Sequence, residues 1–134
     1  MSIQFNQISY QEVFFNFNNN VLKEGEGVGV KMTPIMRAVD NKEEVIALQL
    51  TVEFDVNNST ILKYAGIALF LAKGWKELVT DEAQFNEFKI QIWTQALGFF
   101  RGVVCEKVRG TIMDRFFIPQ MPHKNIENIP LKYN

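Results

Sequence analysis

The stretch Thr80–Thr111, TDEAQFNEFKIQIWTQALGFFRGVVCEKVRGT, constrains the fold more than any other part of the chain. Apolar side chains recur at Phe85, Phe88, Ile92, Ala96, Phe99 or Phe100, Val103, Val104 and Val108. Steps of three and four lay one apolar stripe along a helix. Thr80 and Asp81 can accept hydrogen bonds from the free N–H groups at its start, and Asp81 and Glu82 suit the positive end of its dipole. Gly110 is a natural stop. At roughly 1.5 Å per residue the element reaches about 40 Å. Gly98 and Gly102 weaken a helix interior, so the pattern fits one helix, or a short and a longer one joined at a bend. A striped helix needs an apolar surface to cover, and the chain before Thr80 supplies one as sheet.

Val45–Val56 is the clearest strand. Ile46, Leu48, Leu50, Val52, Phe54 and Val56 point one way; Ala47, Gln49, Thr51, Glu53 and Asp55 point the other. This is an antiparallel strand with one dry and one wetter face. Asn57-Asn58-Ser59 makes a turn. The answering strand, Thr60–Ala72, is apolar on both faces, with Ile61, Ala65, Ile67, Leu69 and Leu71 on one and Leu62, Tyr64, Ala68 and Phe70 on the other. Such a strand is covered on both sides or turns one face to a partner. Gly66 suggests a bulge. Val28–Ala38 is a strand containing Pro34, which places it at an edge or at a bulge. In Ser2–Asn18 the alternation Val13, Phe15, Phe17 puts three large side chains on one face, and a change of phase sets a bulge near Gln7. The helix is expected to continue to about Phe117. Pro119, Pro122 and Pro130 then favour an extended tail across the domain. The expected fold is α+β: a four-stranded antiparallel sheet covered on one face by a long C-terminal helical region, in a single domain, residues 1–134.

A hydrophobic content of 47% excludes a disordered chain. The net charge of −1 comes without a basic cluster, which argues against nucleic acid as the main partner. No stretch approaches the ~20 apolar residues of a membrane span, and MSIQFNQISY is no secretory signal. The single cysteine, Cys105, forbids an internal disulfide. The expected location is the cytoplasm.

Catalytic patterns are sparse. Gly25-Glu26-Gly27-Val28-Gly29 lacks the Gly-Lys-Ser/Thr ending and following helix of a phosphate loop. His123 is the only histidine, and no third group is in view to orient a His–Cys pair with Cys105. One Cys and one His do not make a zinc site. Cys105 reads as a small buried hydrophobe, Glu106 and Lys107 as the helix's wet face, and Asp40, Glu43 and Glu44 as a solvated turn. The expectation is no enzyme, no cofactor and no metal.

The end of the chain resembles the SecB family of bacterial protein-export chaperones. There, a C-terminal helix leads into an Arg-Gly-Thr step and then an apolar, proline-containing segment. Here GFFRGVVCEKV is followed by Arg109-Gly110-Thr111, and Pro119 falls at a similar spacing. Ala65-Gly66-Ile67-Ala68-Leu69-Phe70 looks like the family's last strand. The chain departs from the family at Leu97–Gly102, where a Phe-Pro-Tyr-Ala-Arg-Glu start would stand, and in ending Leu131-Lys132-Tyr133-Asn134 without an acidic tail.

The resemblance implies an ATP-independent chaperone that holds non-native polypeptide in an apolar groove, serving protein export or an antitoxin-type client. It also implies a homo-oligomer, a dimer or tetramer. Phe116, Phe117, Ile118 and Met121 are the candidate polypeptide-binding residues; core packing is the alternative for each. Two other readings stay open. One is an adaptor that binds a specific folded partner, the other a small-molecule binder.

Overall fold

A computed structural model describes residues 3–18, 27–39, 44–111 and 118–133. Its elements in chain order are β1 (Phe5–Phe17), β2 (Gly29–Ala38), β3 (Val45–Val56), β4 (Ser59–Ala72), α1 (Trp75–Leu78), α2 (Glu82–Val108), α3 (His123–Glu127) and β5 (Leu131–Tyr133).

The sheet grows outward from β3 and β4. Asn57 and Asn58 both take positive φ, 49° and 67°, which gives the two-residue turn whose twist matches paired strands. Along β3 every second side chain from Ile46 to Val56 is buried, as the alternation predicts. Leu62, Tyr64, Ala68 and Phe70 of β4 join them in the core. The opposite face carries Ile67, Leu69 and Leu71, which are only half-buried.

The sheet has five strands in the order β1-β4-β3-β2-β5, not four. β5 corrects the wholly antiparallel expectation, because it runs parallel to β2, with Met36, Arg37 and Ala38 beside Leu131, Lys132 and Tyr133. Three residues are too few to show an alternation, so this strand exists only by virtue of the edge it meets. Pro34 lies upstream of that pairing, where β2 has no second strand neighbour among the described residues. This is the edge setting that proline requires.

β1 has two register irregularities, one between Gln7 and Ser9 and another between Glu12 and Phe14. The first matches the expected break. The second takes Val13 out of phase with Phe15 and Phe17, so Val13 is exposed while those two pack on the core. The feature read into Gly66 lies on the facing strand: Gly66 is paired with Glu12, beside the second irregularity. A Cβ on Gly66 would sit 2.3 Å from the Tyr64 hydroxyl and 2.9 Å from the Tyr10 ring. Glycine is therefore required there for close approach. Gly29 opens β2, so a strand follows Gly27 and Val28.

α2 is one helix of 27 residues, which includes Gly98 and Gly102. Its Asp81 cap accepts a hydrogen bond from the Gln84 N–H at 3.2 Å. It ends at Val108, earlier than expected, and the span 112–117 lies outside the described residues. Arg109, Gly110 and Thr111 form the stop. Gly110 has φ of 79°, and the Thr111 N–H and hydroxyl both donate to the Val108 carbonyl, at 3.0 and 2.7 Å. Cys105 is exposed, contrary to its reading as a core residue, because the buried stripe passes through its neighbour Val104. Lys107 is not purely a solvent-facing residue: it pairs with Glu12 and lies 4.9 Å over the Phe15 ring, tying α2 to β1.

Candidate functional site

α2 has two working faces. Phe88, Ile92, Ala96, Phe100, Val104 and Val108 are buried, and ring contacts set this face on the sheet. Phe88 meets Phe5 at 6.0 Å, and Phe100 meets Tyr64 at 6.3 Å and Tyr10 at 6.4 Å. The adjacent row, Lys89, Trp93, Leu97 and Arg101, follows a four-residue spacing and serves the C-terminal segment. Trp93 and Leu97 are buried, and so is Lys89, at 5% exposure.

Two cations on this row hold the tail. Lys89 Nζ donates to the carbonyls of Glu127 at 2.5 Å and Ile129 at 3.0 Å. It also lies 5.2 Å over the Phe85 ring. Burial lowers the Lys89 pKa, while the charges of Glu127 and Glu82 pull it back up. Arg101 Nε donates to the Ile118 carbonyl at 2.7 Å. The segment from Ile118 to Ile129 is thus gripped near both ends by charge-assisted bonds to backbone. Sequence reading passed over Lys89 and Arg101 because a charge in a helix is read as wet. The signal that finds them is their place in the row with Trp93 and Leu97.

Between these anchors lie two open cavities, the first of mixed and the second of mainly apolar lining. One, of about 400 Å³, is bounded by Thr94, Leu97 and Arg101 of α2 and by Gln120, Met121, His123 and Ile126. The other, of about 420 Å³, is bounded by Met32 and Pro34 of β2 and by Met121, Pro122, Ile129 and Pro130. Met121 walls both. The two also share Pro122 and are together called the trough: one lies at the flank of α2, the other at the edge of β2.

Of the sequence-based candidates, Met121 stands in the trough wall, with most of its side chain buried. Ile118 is fully buried and contributes its carbonyl to Arg101. Phe116 and Phe117 lie outside the described residues. Arg109, Gly110 and Thr111 end α2, Arg109 also pairing with Glu106 at 2.6 Å. Pro119 is half-buried beside Ile118. Met32, Pro34, Leu97 and Ile126 are among the trough residues that sequence reading did not assign. Among the described residues, no group of His, Cys, Asp and Glu is arranged to hold a metal ion, and no helix is long and apolar enough to cross a membrane.

The site is a concave surface of apolar side chains interspersed with polar ones, on an α+β scaffold. No protein-family model and no curated protein sequence matches the chain. Among solved structures, the SecB-like chaperone Rv1957 of Mycobacterium tuberculosis, in complex with a ChAD peptide from the Rv1956 HigA1 antitoxin, is similar with a TM-score of 0.48 and 7% sequence identity, over 88% of each chain.

Proposed function

We propose that this chain is a divergent SecB-like, ATP-independent chaperone that binds non-native polypeptide in the trough around Met121. The trough carries the reading: two adjoining cavities whose apolar lining includes Met32, Pro34, Leu97, Met121, Pro122 and Ile126, set among polar side chains such as Gln120 and Asn125. Thioether, proline and branched aliphatic surfaces accept varied apolar side chains without fixed hydrogen-bond demands. An extended client can lay successive side chains along such a surface. The resemblance at Ala65–Phe70, Arg109-Gly110-Thr111 and Pro119 supports the same reading. Phe116 and Phe117 directly precede Ile118 in sequence and remain candidates for client contact. The protein has no catalytic role here, and its client is an export precursor or a dedicated antitoxin-type chain.

Light scattering of the purified protein with a permanently unfolded client is the test. The expected outcome is a soluble complex and suppressed client aggregation at several-fold excess. Replacing Met121 with Ser should weaken client uptake by about tenfold, as expected for loss of a central apolar contact. No uptake of any unfolded client, with one folded protein co-purifying in fixed ratio, would establish the adaptor reading instead. A ligand held by the native protein in mass spectrometry would establish a small-molecule binder.

A further inference from the structure

The least secured element of the sheet sits beside the trough. β5 meets β2 over three residue pairs, in the parallel arrangement that is weaker per residue. Leu131 is half-buried, Lys132 is exposed, and Tyr133 is 65% exposed, with its ring 6.4 Å from that of Trp75. The Lys89 anchors stop at Ile129, so β5 lies beyond the last grip, across Pro130. Upstream on β2, Gly29–Ile35 pairs with β3 and has no second strand neighbour among the described residues. The trough opens on that edge at Met32 and Pro34.

We infer that β5 is a resident self-ligand, and that the β2 edge at Met36–Ala38 accepts an extended apolar segment of non-native polypeptide in its place. This inference rests on the polypeptide-binding reading above and assigns its binding mode. Backbone N–H and C=O groups of the incoming segment replace those of β5 on the β2 ladder, and because the pairing is parallel, the residues preceding the paired stretch run towards the trough at Pro34 and Met32. β5 supplies the template: a short extended stretch, Leu-Lys-Tyr, directly after a proline. Pro34 sets the limit. It offers no N–H, so pairing cannot run the length of β2, and the open edge does not become a template for unlimited strand addition. The affinity for client is reduced by the fraction of time β5 is docked.

The test covalently closes the site in the full chain. Arg37 and Lys132 are register partners and both exposed. Paired strand residues lie within reach of a disulfide. Arg37→Cys with Lys132→Cys, in a Cys105→Ser background, is compared oxidised and reduced against a carboxymethylated unfolded protein as client. The oxidised form should bind at least about tenfold more weakly, with recovery on reduction. Equal, tight binding in both forms overturns the displacement of β5 and leaves the polypeptide reading intact. Binding in neither form, and none to the natural chain, overturns both. Amide hydrogen exchange on the natural chain gives an independent reading. Client should accelerate exchange at Leu131–Tyr133 and leave Val45–Val56 protected. Client that binds with β5 protection unchanged overturns the inference.

Discussion

At the scale of single residues, the tightest arrangement is the tyrosine pair over Gly66. The hydroxyls of Tyr10 and Tyr64 are 2.6 Å apart, joining β1 to β4 beneath α2. Tyr10 is also edge-on to Phe99 at 5.0 Å. Burial, first, and then the bond to Tyr10 and the charges of Tyr10 and Glu12, raise the Tyr64 pKa above its ordinary 10.0. The folded chain therefore keeps this proton at a pH where the unfolded chain releases it. Stability from this source is fully present below pH 10 and is lost as pH rises further. Tyr64→Phe should cost about 1 kcal/mol at neutral pH through the lost hydrogen bond. The decline of its unfolding free energy above pH 10 should be shallower than in the natural chain. Some decline should persist, because the Tyr10 pKa is also raised by burial. Urea titrations across that range read both effects, and parallel curves for the two proteins would contradict them.

At the scale of elements, legibility follows period and length. β3 is legible because one face is dry along the whole strand, and an alternation sustained from Ile46 to Val56 leaves no ambiguity of phase. α2 was legible for the same reason at a different period. β1 was half legible. The pattern Val13, Phe15, Phe17 is a fair strand signal, but an irregularity at Val13 changes the face, and no residue type there announces it. β5 was not legible, since Leu131–Tyr133 becomes a strand by docking on β2. The trough fell between these cases. Met121 was marked from the tail, while its opposite walls come from β2 and from a row of α2 whose charged members disguised it. The unbroken α2 also settles what its glycines are worth. A Cβ at Gly98 or Gly102 would meet nothing within 4 Å, and both positions are exposed. Alanine at either should stabilise the chain by about 0.5–1 kcal/mol, and the two together roughly additively. Thermal melts of the single and double variants check this. A destabilised Gly102→Ala would mean that this exposed flank is packed against something in the working protein.

At the scale of the whole molecule, the two faces of the sheet are unequal. One is sealed by α2 and the C-terminal segment, with a continuous core that includes Trp75, Trp93, Ile118 and Ile129. The other leaves Ile67, Leu69 and Leu71 half-buried, beside β1 with its exposed Ile8, Val13 and Phe14. Water-facing apolar rows of this kind are costly to a lone chain and favourable to a symmetric partner, because a twofold axis buries each residue twice. The trough lies on the sealed side, so two chains joined through their open faces would leave both troughs accessible. Leu69 is central to the open row and contributes nothing to the trough. If chains assemble through this face, Leu69→Lys should reduce the mass seen by light scattering to that of one chain, while client uptake per chain stays within about twofold, because a charge there opposes association without touching the binding surface. An unchanged oligomeric mass would move the contact to another surface, with the outer edge of β1 next to be tested, and a natural chain that already scatters as one chain would overturn the association itself. Loss of client uptake together with the oligomer would mean that one client is held across two chains, and that the binding surface is completed only by assembly.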